Sequence, residues 1–268
     1  MSLRLPFAQI DAFADAPFTG NPAAVIPLDA WLDDAVLQAI AMENNLSETA
    51  FIVPDATGAA DFELRWFTPT VEVVLCGHAT LASGHFVLAA NPGVDRVTFR
   101  TRRAGQLAVA RAANGYEVLL PAYATEARPL PAIVAALGVD AASVAETRWH
   151  DNGYALIVVD TADTVRGLEP DFRALAAEGN VLTIVTAPGD ATDIISRVFA
   201  AAAGIDEDPV TGSAHAVMVP YWAARLGRDS FTAFQASRRG GLLDCRLQSD
   251  QVALGGRCVT VIEGAFLL

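Results

Sequence analysis

The stretch DPVTGSAHAVMVPYWAARL (208–226) joins a polar turn to a run with almost no charge. Asp208 leads it, a Thr-Gly-Ser turn follows, and the residues after His215 would be apolar on nearly every side of a helix. A helix that is apolar all round is buried in the core of its domain. The stretch therefore predicts a core helix whose N-terminus carries polar side chains, with Pro220 as the point at which the helix should kink.

The same arrangement occurs earlier in the chain, where CGHATL (76–81) aligns with TGSAHA (211–216). Four further segments align in the same order, with one short insertion before Gly212. The aligned segments are NPAAVI (21–26) with GYALIV (153–158), NLSETAFIV (45–53) with AEGNVLTIV (177–185), RWF (65–67) with RVF (197–199), and FRTRRAGQLAVAR (99–111) with FQASRRGGLLDCR (234–246). Self-similarity of this kind predicts an internal repeat, that is, two halves with like folds.

Each half is predicted to contain short strands around its apolar helix, and another helix is expected from an N-cap at Asp29 to Asn44–Asn45. The predicted fold class is α/β (α+β): two pseudo-symmetric domains, each mostly antiparallel strands wrapped around a central buried helix. The Pro-containing segment 121–131 is the predicted linker, which gives domains of residues 1–124 and 125–268. Residues 257–268 lie beyond the repeat, so it is left open which domain they join, the first included.

The composition excludes several classes of function. The net charge of −13 argues against nucleic-acid and anionic-membrane partners, and no apolar run is long enough to span a bilayer. All 18 basic residues are arginine, which rules out a lysine Schiff base with pyridoxal phosphate and a P-loop lysine. The three cysteines have no metal-binding spacing, and no secretion signal is visible. We therefore expect a cytoplasmic protein without a metal or cofactor.

The polar turns before the two apolar helices are the expected binding elements. A helix N-terminus presents unpaired N–H groups and partial positive charge, and so attracts an anion such as a substrate carboxylate. Gly77 and Gly212 permit the close approach that this binding requires. Thr211 and Ser213 should add hydrogen bonds, and the cleft between the domains is the expected place for the site.

A proton-transfer group is expected where the two halves differ, because catalysis breaks a symmetry that folding keeps. Glu48 aligns with Asn180, and Asp208 lies beside the insertion without a clear counterpart. The acid-base candidates are Glu48, His78, Asp208 and Cys76. Each also has a purely structural interpretation. Glu48 could be an exposed carboxylate and His78 a core or capping histidine. Asp208 could be a helix cap and Cys76 a small buried hydrophobic residue.

Six motifs spread over nearly the whole chain point to one family. They are DAFADAPFTGNPAAVI (11–26), NLSETAF (45–51), RWFTPTVEV (65–73), CGHATLASGH (76–85), GIDEDPVTGSAH (204–215) and GRCVTVIEG (256–264). In combination they resemble the PhzF-like isomerase family of phenazine biosynthesis. The resemblance implies a diaminopimelate-epimerase-like fold, a cofactor-independent isomerase and a homodimer. The founding activity moves a proton within a small carboxylate-bearing substrate, trans-2,3-dihydro-3-hydroxyanthranilate.

The resemblance also implies roles for individual residues. Glu48, in the SET motif, would be the general acid/base. The other catalytic residues would be His78 and Asp208. The implied substrate-binding residues are Ser47, Gly77, Thr211, Gly212 and Ser213.

Cys76 separates this sequence from the related epimerases, which use two cysteines, one from each half. Here Cys76 aligns with Thr211, so the second thiol is missing. A single proton carrier favours a 1,3 proton shift over racemisation. Two alternatives stay open: an amino-acid racemase or epimerase that works without pyridoxal phosphate through Glu48 and Cys76, and a non-catalytic scaffold that binds a metabolite or a protein.

Overall fold

Strands form most of the regular structure in the computed structural model, which describes residues 3–268. Residues 1 and 2, the start of the first predicted domain, lie outside the described residues. The strands are β1 (Arg4–Ala12), β2 (Asn21–Pro27), β3 (Glu48–Pro54), β4 (Phe62–Phe67), β5 (Glu72–Val73), β6 (Arg96–Thr101), β7 (Gln106–Ala112), β8 (Gly115–Pro121), β9 (Glu126–Ala127), β10 (Val144–His150), β11 (Tyr154–Val159), β12 (Leu182–Pro188), β13 (Ile194–Phe199), β14 (Ser230–Gln235), β15 (Gly241–Gln248), β16 (Gln251–Gly256) and β17 (Cys258–Leu267).

The α-helices are fewer, and the two longest follow the polar turns. They are α1 (Asp34–Asn44), α2 (Gly77–Ala90), α3 (Pro131–Ala136), α4 (Ala162–Arg166), α5 (Phe172–Ala177) and α6 (Gly212–Leu226). Two short 3₁₀ turns occupy Ala141–Ser143 and Ala201–Ala203. None of the helices within residues 3–268 is long and apolar enough to cross a membrane.

The chain divides into two compact units, one of residues 3–120 with Gly255–Leu268 and one of Pro121–Leu254. The boundary expected between residues 124 and 125 thus lies a few residues inside the second unit. β17 pairs antiparallel with β1 along its length. The final strand, which the repeat left unassigned, is therefore part of the first unit.

In the first unit the strands surround α2, which is apolar and buried on most of its faces. β1 pairs antiparallel with β2, β2 parallel with β3, β3 antiparallel with β4, and β4 parallel with β6. Gly84 lets α2 lie directly on β7, because a Cβ at this position would come within 2.3 Å of the Val109 Cγ1 atom. The glycine thus sets the distance between the helix and the sheet.

The second unit repeats this order of pairings around α6. β10 pairs antiparallel with β11, β11 parallel with β12, β12 antiparallel with β13, and β13 parallel with β14. α6 runs through Pro220 without interruption. Pro220 cannot bond the Ala216 carbonyl, which instead accepts a hydrogen bond of 3.0 Å from the Tyr123 N–H. The segment that opens this unit is therefore bound to its central helix.

Two local expectations were wrong. The first long helix begins at Asp34 with Asp33 as its N-cap, not after Asp29, although it ends as expected at Asn45, which adopts the left-handed conformation. Residues 29–33 instead belong to the connection between β2 and α1.

The repeat alignment around Glu48 is also shifted. Thr49 pairs with the last residue of β4, and Thr183 pairs with the last residue of β13. These two threonines are therefore equivalent, and Glu48 corresponds to Leu182 rather than to Asn180.

Candidate active site

Glu48 and His78 meet at the N-terminal end of α2. Glu48 is the first residue of β3, and His78 is the second residue of α2. The His78 Nε2 atom lies 3.0 Å from the Glu48 Oε2 atom, and the two side chains are 5% and 12% exposed. A strand start and a helix start therefore bring together two residues that are thirty positions apart in the chain.

Two further side chains complete this cluster around His78. Asn21, the first residue of β2, places its Nδ2 atom 3.2 Å from His78 Nδ1. The Cys76 Sγ atom lies 3.5 Å from the same nitrogen and 4.0 Å from Nε2. Both ring nitrogens of His78 thus have polar neighbours, and the ring is held in one orientation. We call these four residues, Asn21, Glu48, Cys76 and His78, the α2 cluster.

The charges of the α2 cluster follow from its burial. Burial raises the pKa of the Cys76 thiol to about 11, and the Glu48 carboxylate adds to the effect. Burial alone would lower the pKa of His78, but the neighbouring Cys76 and Glu48 outweigh it and raise this pKa well above its usual value. The Cys76 thiol is therefore protonated at neutral pH, and the Glu48 carboxyl group is the acidic group that faces the His78 ring, at 3.0 Å.

The Glu48 carboxylate has an oxygen with unused hydrogen-bonding capacity. Oε2 is buried and makes no aligned hydrogen bond with any group of residues 3–268. Its 3.0 Å contact with His78 is an ion pair by distance, without hydrogen-bond alignment. A buried carboxylate oxygen of this kind is costly for folding and is available to a proton or to a ligand.

Backbone N–H groups also face this end of α2. The first intrahelical bond runs from the Thr80 N–H to the Cys76 carbonyl at 3.1 Å, so the N–H groups of Gly77, His78 and Ala79 have no acceptor within the helix. The N-cap residue, Cys76, makes no side-chain capping hydrogen bond. The end of the helix can therefore accept an anion.

The N-terminus of α6 carries a different set, which we call the α6 cluster: Tyr154, Asp208, Thr211, Ser213 and Gln235. The Thr211 hydroxyl donates to Asp208 Oδ2 at 2.5 Å. The fully buried Gln235 accepts from the Thr211 N–H at 2.9 Å and donates to the Asp208 carbonyl at 2.7 Å. One buried amide thus fixes the turn that brings Asp208 and Thr211 together.

The rest of this terminus is neutral. Burial raises the pKa of Tyr154, the first residue of β11, and the nearby Ser213 side chain opposes this rise. His215 is fully buried, donates from Nδ1 to the Thr211 carbonyl at 2.8 Å, and has its pKa lowered by burial to about 4. It is therefore a neutral structural histidine. The α6 cluster itself thus consists of hydroxyl, amide and carboxyl side chains and contains no histidine or cysteine.

The structure thus brings the predicted residues together in two sets. Ser47 and Gly77 precede Glu48 and His78 directly in the chain, and Gly212 opens α6 next to Thr211. Asn21, Tyr154 and Gln235 were not predicted. Asn21 lies in the motif DAFADAPFTGNPAAVI (11–26), which was a usable signal, whereas Tyr154 and Gln235 lie outside every motif and are more than 20 residues from Asp208 and Thr211 in the chain.

Comparison with known proteins places the chain in one family. The family model described as phenazine biosynthesis-like protein, PhzC-PhzF, matches residues 10–264. A Pseudomonas aeruginosa protein described as an uncharacterized isomerase is 45% identical over 269 residues, which cover 99% of this chain and 100% of the relative. The crystal structure of a PhzF-family phenazine biosynthesis protein from Enterococcus faecalis has a TM-score of 0.91 and 42% identity, covering 99% of this chain and 100% of that chain.

A more distant structure extends the fold comparison. A hydroxyproline epimerase from Agrobacterium vitis matches with a TM-score of 0.65 at 13% identity, covering 99% of this chain and 93% of that chain. At this identity the likeness concerns the fold alone, and the epimerase-like fold class predicted from the sequence is confirmed. The chain belongs to the phenazine biosynthesis-like (PhzC-PhzF) family, and its predicted activity class, that of an isomerase, is confirmed by these relatives.

Proposed function

We propose that the protein is a cofactor-independent isomerase that moves a proton between two carbons of a small carboxylate-bearing substrate, with Glu48 as the general acid/base. The observation that carries this proposal is the Glu48 Oε2 atom, which is buried, lacks an aligned hydrogen bond and lies 3.0 Å from His78. A base needs such an unoccupied oxygen within reach of the proton that it removes. The substrate type is that of trans-2,3-dihydro-3-hydroxyanthranilate.

The geometry supports a sequence of three steps. The substrate carboxylate binds the N–H groups at the start of α2. Glu48 then takes a proton from an activated carbon, so that a C–H bond breaks, an O–H bond forms and the electron pair spreads into the conjugated system. The same carboxyl group returns the proton to a second carbon, which relocates the double bond. Atoms and electrons balance without a co-reactant.

His78 acts in this scheme as the partner that holds Glu48. Its Nε2 atom lies 3.0 Å from the Glu48 carboxyl group and orients it, and Asn21 holds the ring from the other side. Asp208, which the resemblance makes a catalytic residue, acts here by hydrogen-bonding a polar group of the substrate. Thr211, Gly212 and Ser213 keep the substrate-binding roles that the resemblance implies. Positioned acid-base catalysis contributes about 10²- to 10⁴-fold, and electrostatic stabilisation by the helix N-terminus adds to it.

The test is deuterium wash-in followed by NMR. The protein is incubated in heavy water with trans-2,3-dihydro-3-hydroxyanthranilate, and Glu48→Gln is compared with Glu43→Gln, an exposed glutamate on the neighbouring helix. We expect deuterium in an isomerised product with wild type and Glu43→Gln, and none with Glu48→Gln. A folded Glu48→Gln protein that still catalyses exchange would exclude Glu48 as the base.

A second candidate function rests on Cys76, which lies in the same cluster 3.5 Å from His78 Nδ1. An amino-acid racemase or epimerase would use Glu48 and the Cys76 thiol as an unlike pair on two faces of one carbon. The high pKa of the thiol makes it a proton donor rather than a base. This candidate predicts exchange at an amino-acid α-carbon that Cys76→Ala abolishes. A scaffold without catalysis predicts binding and no exchange with any substrate.

A further inference from the structure

The loop between β1 and β2 is much longer than its counterpart in the second unit. β1 ends at Ala12 and β2 begins at Asn21, so residues 13–20 connect the two strands. The equivalent strands, β10 and β11, are joined by residues 151–153 alone. Both pairs of strands are antiparallel and pair up to the residues that flank the connection. The additional residues of the first unit are therefore not needed to pair the strands.

This loop belongs to the end of the first unit at which the α2 cluster lies. Asn21, which follows the loop directly, places its Nδ2 atom 3.2 Å from His78 Nδ1. Phe18 precedes Asn21 by three residues, so their Cα atoms are at most about 11 Å apart. The loop thus carries a large aromatic side chain close to the end of α2 where Glu48 meets His78.

Phe18 combines a strained backbone with an exposed ring. Its φ angle of 72° lies in the left-handed region, which a bulky residue rarely adopts. Its exposure of 80% is the largest among the exposed large apolar side chains of residues 3–268. The Phe18 N–H donates a hydrogen bond of 2.9 Å to Oδ2 of Asp11, a carboxylate that is itself buried. Strain of this kind is concentrated at functional sites, and neither it nor the exposed ring stabilises the fold.

The loop is fixed to its own unit at both ends. At one end, a Cβ on Gly20 would come within 2.2 Å of the Ala12 carbonyl oxygen, so only glycine permits this close approach. At the other end, the Ala14 N–H donates a hydrogen bond of 3.0 Å to the Arg257 carbonyl. A side chain on a loop that is already ordered loses less freedom on binding a ligand, which favours binding.

We propose that Phe18 packs against the ring of the bound substrate and thereby selects ring-shaped carboxylates over open-chain ones. This inference rests on the proposed function, because it takes the substrate carboxylate to bind at the N-terminus of α2. Phe18 then covers the apolar face of the ring while Glu48 acts on the ring carbons. Packed aromatic rings bury apolar surface and attract each other further through their geometry. Phe18 forms and breaks no bond.

The first experiment measures binding without turnover. Anthranilate, a stable aromatic carboxylate, and crotonate, an open-chain carboxylate with one double bond, are titrated into wild type and Phe18→Asn and followed by NMR. Asparagine tolerates the left-handed conformation, so this variant should unfold at the same urea concentration as wild type or a higher one. We expect Phe18→Asn to weaken anthranilate binding about 5- to 50-fold and to leave crotonate binding unchanged.

Two further variants are the controls. Phe18→Tyr keeps an aromatic ring and should bind anthranilate as wild type does. Val94→Ala removes an exposed apolar side chain beyond Ala90, the last residue of α2, and should also behave as wild type. The proposal is overturned if wild type does not bind anthranilate, if Phe18→Asn binds it unchanged, or if Phe18→Asn weakens both carboxylates equally.

Deuterium wash-in with trans-2,3-dihydro-3-hydroxyanthranilate separates this inference from the proposed function. Phe18→Asn should still catalyse exchange, because Glu48 is intact, but with a raised KM. Exchange by wild type, together with anthranilate binding that does not depend on Phe18, would refute the role of Phe18 and leave the isomerase standing. Binding that depends on Phe18 in a protein that never shows exchange would refute the isomerase mechanism and leave the ring contact standing.

Discussion

The N-termini of α2 and α6 follow one local plan and carry different chemistry. In each, the first residue of a strand contacts the second residue of the helix: Asn21 contacts His78, and Tyr154 contacts Ser213. In each, the N–H groups of the first helical residues have no acceptor within the helix. At α2 the side chains are a carboxylate, an imidazole and a thiol. At α6 they are hydroxyls and the Asp208 carboxylate, fixed by a neutral amide.

This difference separates two tasks that a proton-moving enzyme has to perform. A group that gains and loses a proton needs unused hydrogen-bonding capacity, and the Glu48 Oε2 atom has it. A group that holds a substrate needs a fixed direction, and Gln235 supplies it to Thr211 and Asp208 through hydrogen bonds of 2.9 and 2.7 Å. Under the proposed mechanism, the same backbone plan serves proton transfer in one unit and hydrogen bonding in the other.

The largest expected effect tests this division directly. Glu48→Gln should lower kcat by about 10²- to 10⁴-fold, because it removes the proton carrier. Asp208→Asn keeps a hydrogen-bonding group of the same shape and should act mainly on KM. Steady-state kinetics of the two variants with the same substrate make the comparison. A loss of kcat in Asp208→Asn as large as that in Glu48→Gln would show that both termini take part in proton transfer.

The next-largest expected effect is the loss of stability when either of two arginines at matching positions of β4 and β13 is replaced. The Arg65 guanidinium, 1% exposed, binds Glu72 at 2.8 Å and Asp34 at 2.8 Å, whereas Arg197, 13% exposed, binds Glu207 at 2.7 Å. Breaking a fully buried ion pair costs about 3 to 5 kcal/mol, because the other charge stays buried and unpaired. Here Glu72 is 20% exposed, Asp34 is 65% exposed, and Arg102 lies within 3.7 Å of both. Arg65→Met should therefore destabilise the fold by up to about 3 kcal/mol.

The control is Arg197→Met, for which the loss should be smaller, since Arg197 is more exposed and has one carboxylate partner. Urea unfolding measures the total loss, and hydrogen exchange by mass spectrometry shows which unit opens. Protection lost in β3 and β4 is expected for Arg65→Met, and protection lost in β12 and β13 for Arg197→Met. Equal losses in both variants would mean that the extra partner of Arg65 adds no stability.

A smaller effect concerns how closely each helix lies on its sheet. Gly84→Ala should destabilise the protein by about 1 to 3 kcal/mol, because the added Cβ meets Val109. This holds although alanine favours a helix over glycine by about 1 kcal/mol. Gly93→Ala, where nothing lies within 4 Å, is the control and should be close to neutral. A Gly84→Ala protein as stable as wild type would show that α2 can move away from β7.

The sequence alone predicted the two central helices and most residues of both clusters, and the reason is local. Glycines, an apolar helix pattern and the SET and CGH motifs are contiguous signals. The role of Gln235 in the α6 cluster was not predictable. Gln235 lies on a strand that follows α6, whereas the atoms that it bonds belong to the turn that precedes α6. The alignment of Glu48 failed for a related reason. Strand register is set by pairing with β4, which a comparison of two apolar segments does not detect.

The smallest expected effect is a pH dependence in the Arg65 ion pair. The hydrogen bond from Arg65 holds the pKa of the Glu72 carboxyl below its usual 4.5. A depressed pKa in the folded state stabilises the protein above the unfolded-state pKa, and that stability is lost as the pH falls through the folded-state value. The difference in unfolding free energy between wild type and Glu72→Gln should therefore be constant from pH 7 to about pH 5 and shrink below it.

The matched background is Arg65→Met, in which Glu72 has lost the donor that lowers its pKa. Glu72→Gln should change stability little in this background, and the difference should not shrink with acid in the same way. Urea unfolding of the four proteins at several pH values completes the double-mutant cycle and isolates the interaction between the two side chains. If the difference in unfolding free energy between wild type and Glu72→Gln stayed constant down to pH 3, the interaction between Arg65 and Glu72 would not depend on the ionisation of Glu72. The charge of Glu72 would then add nothing to the stability of the first unit.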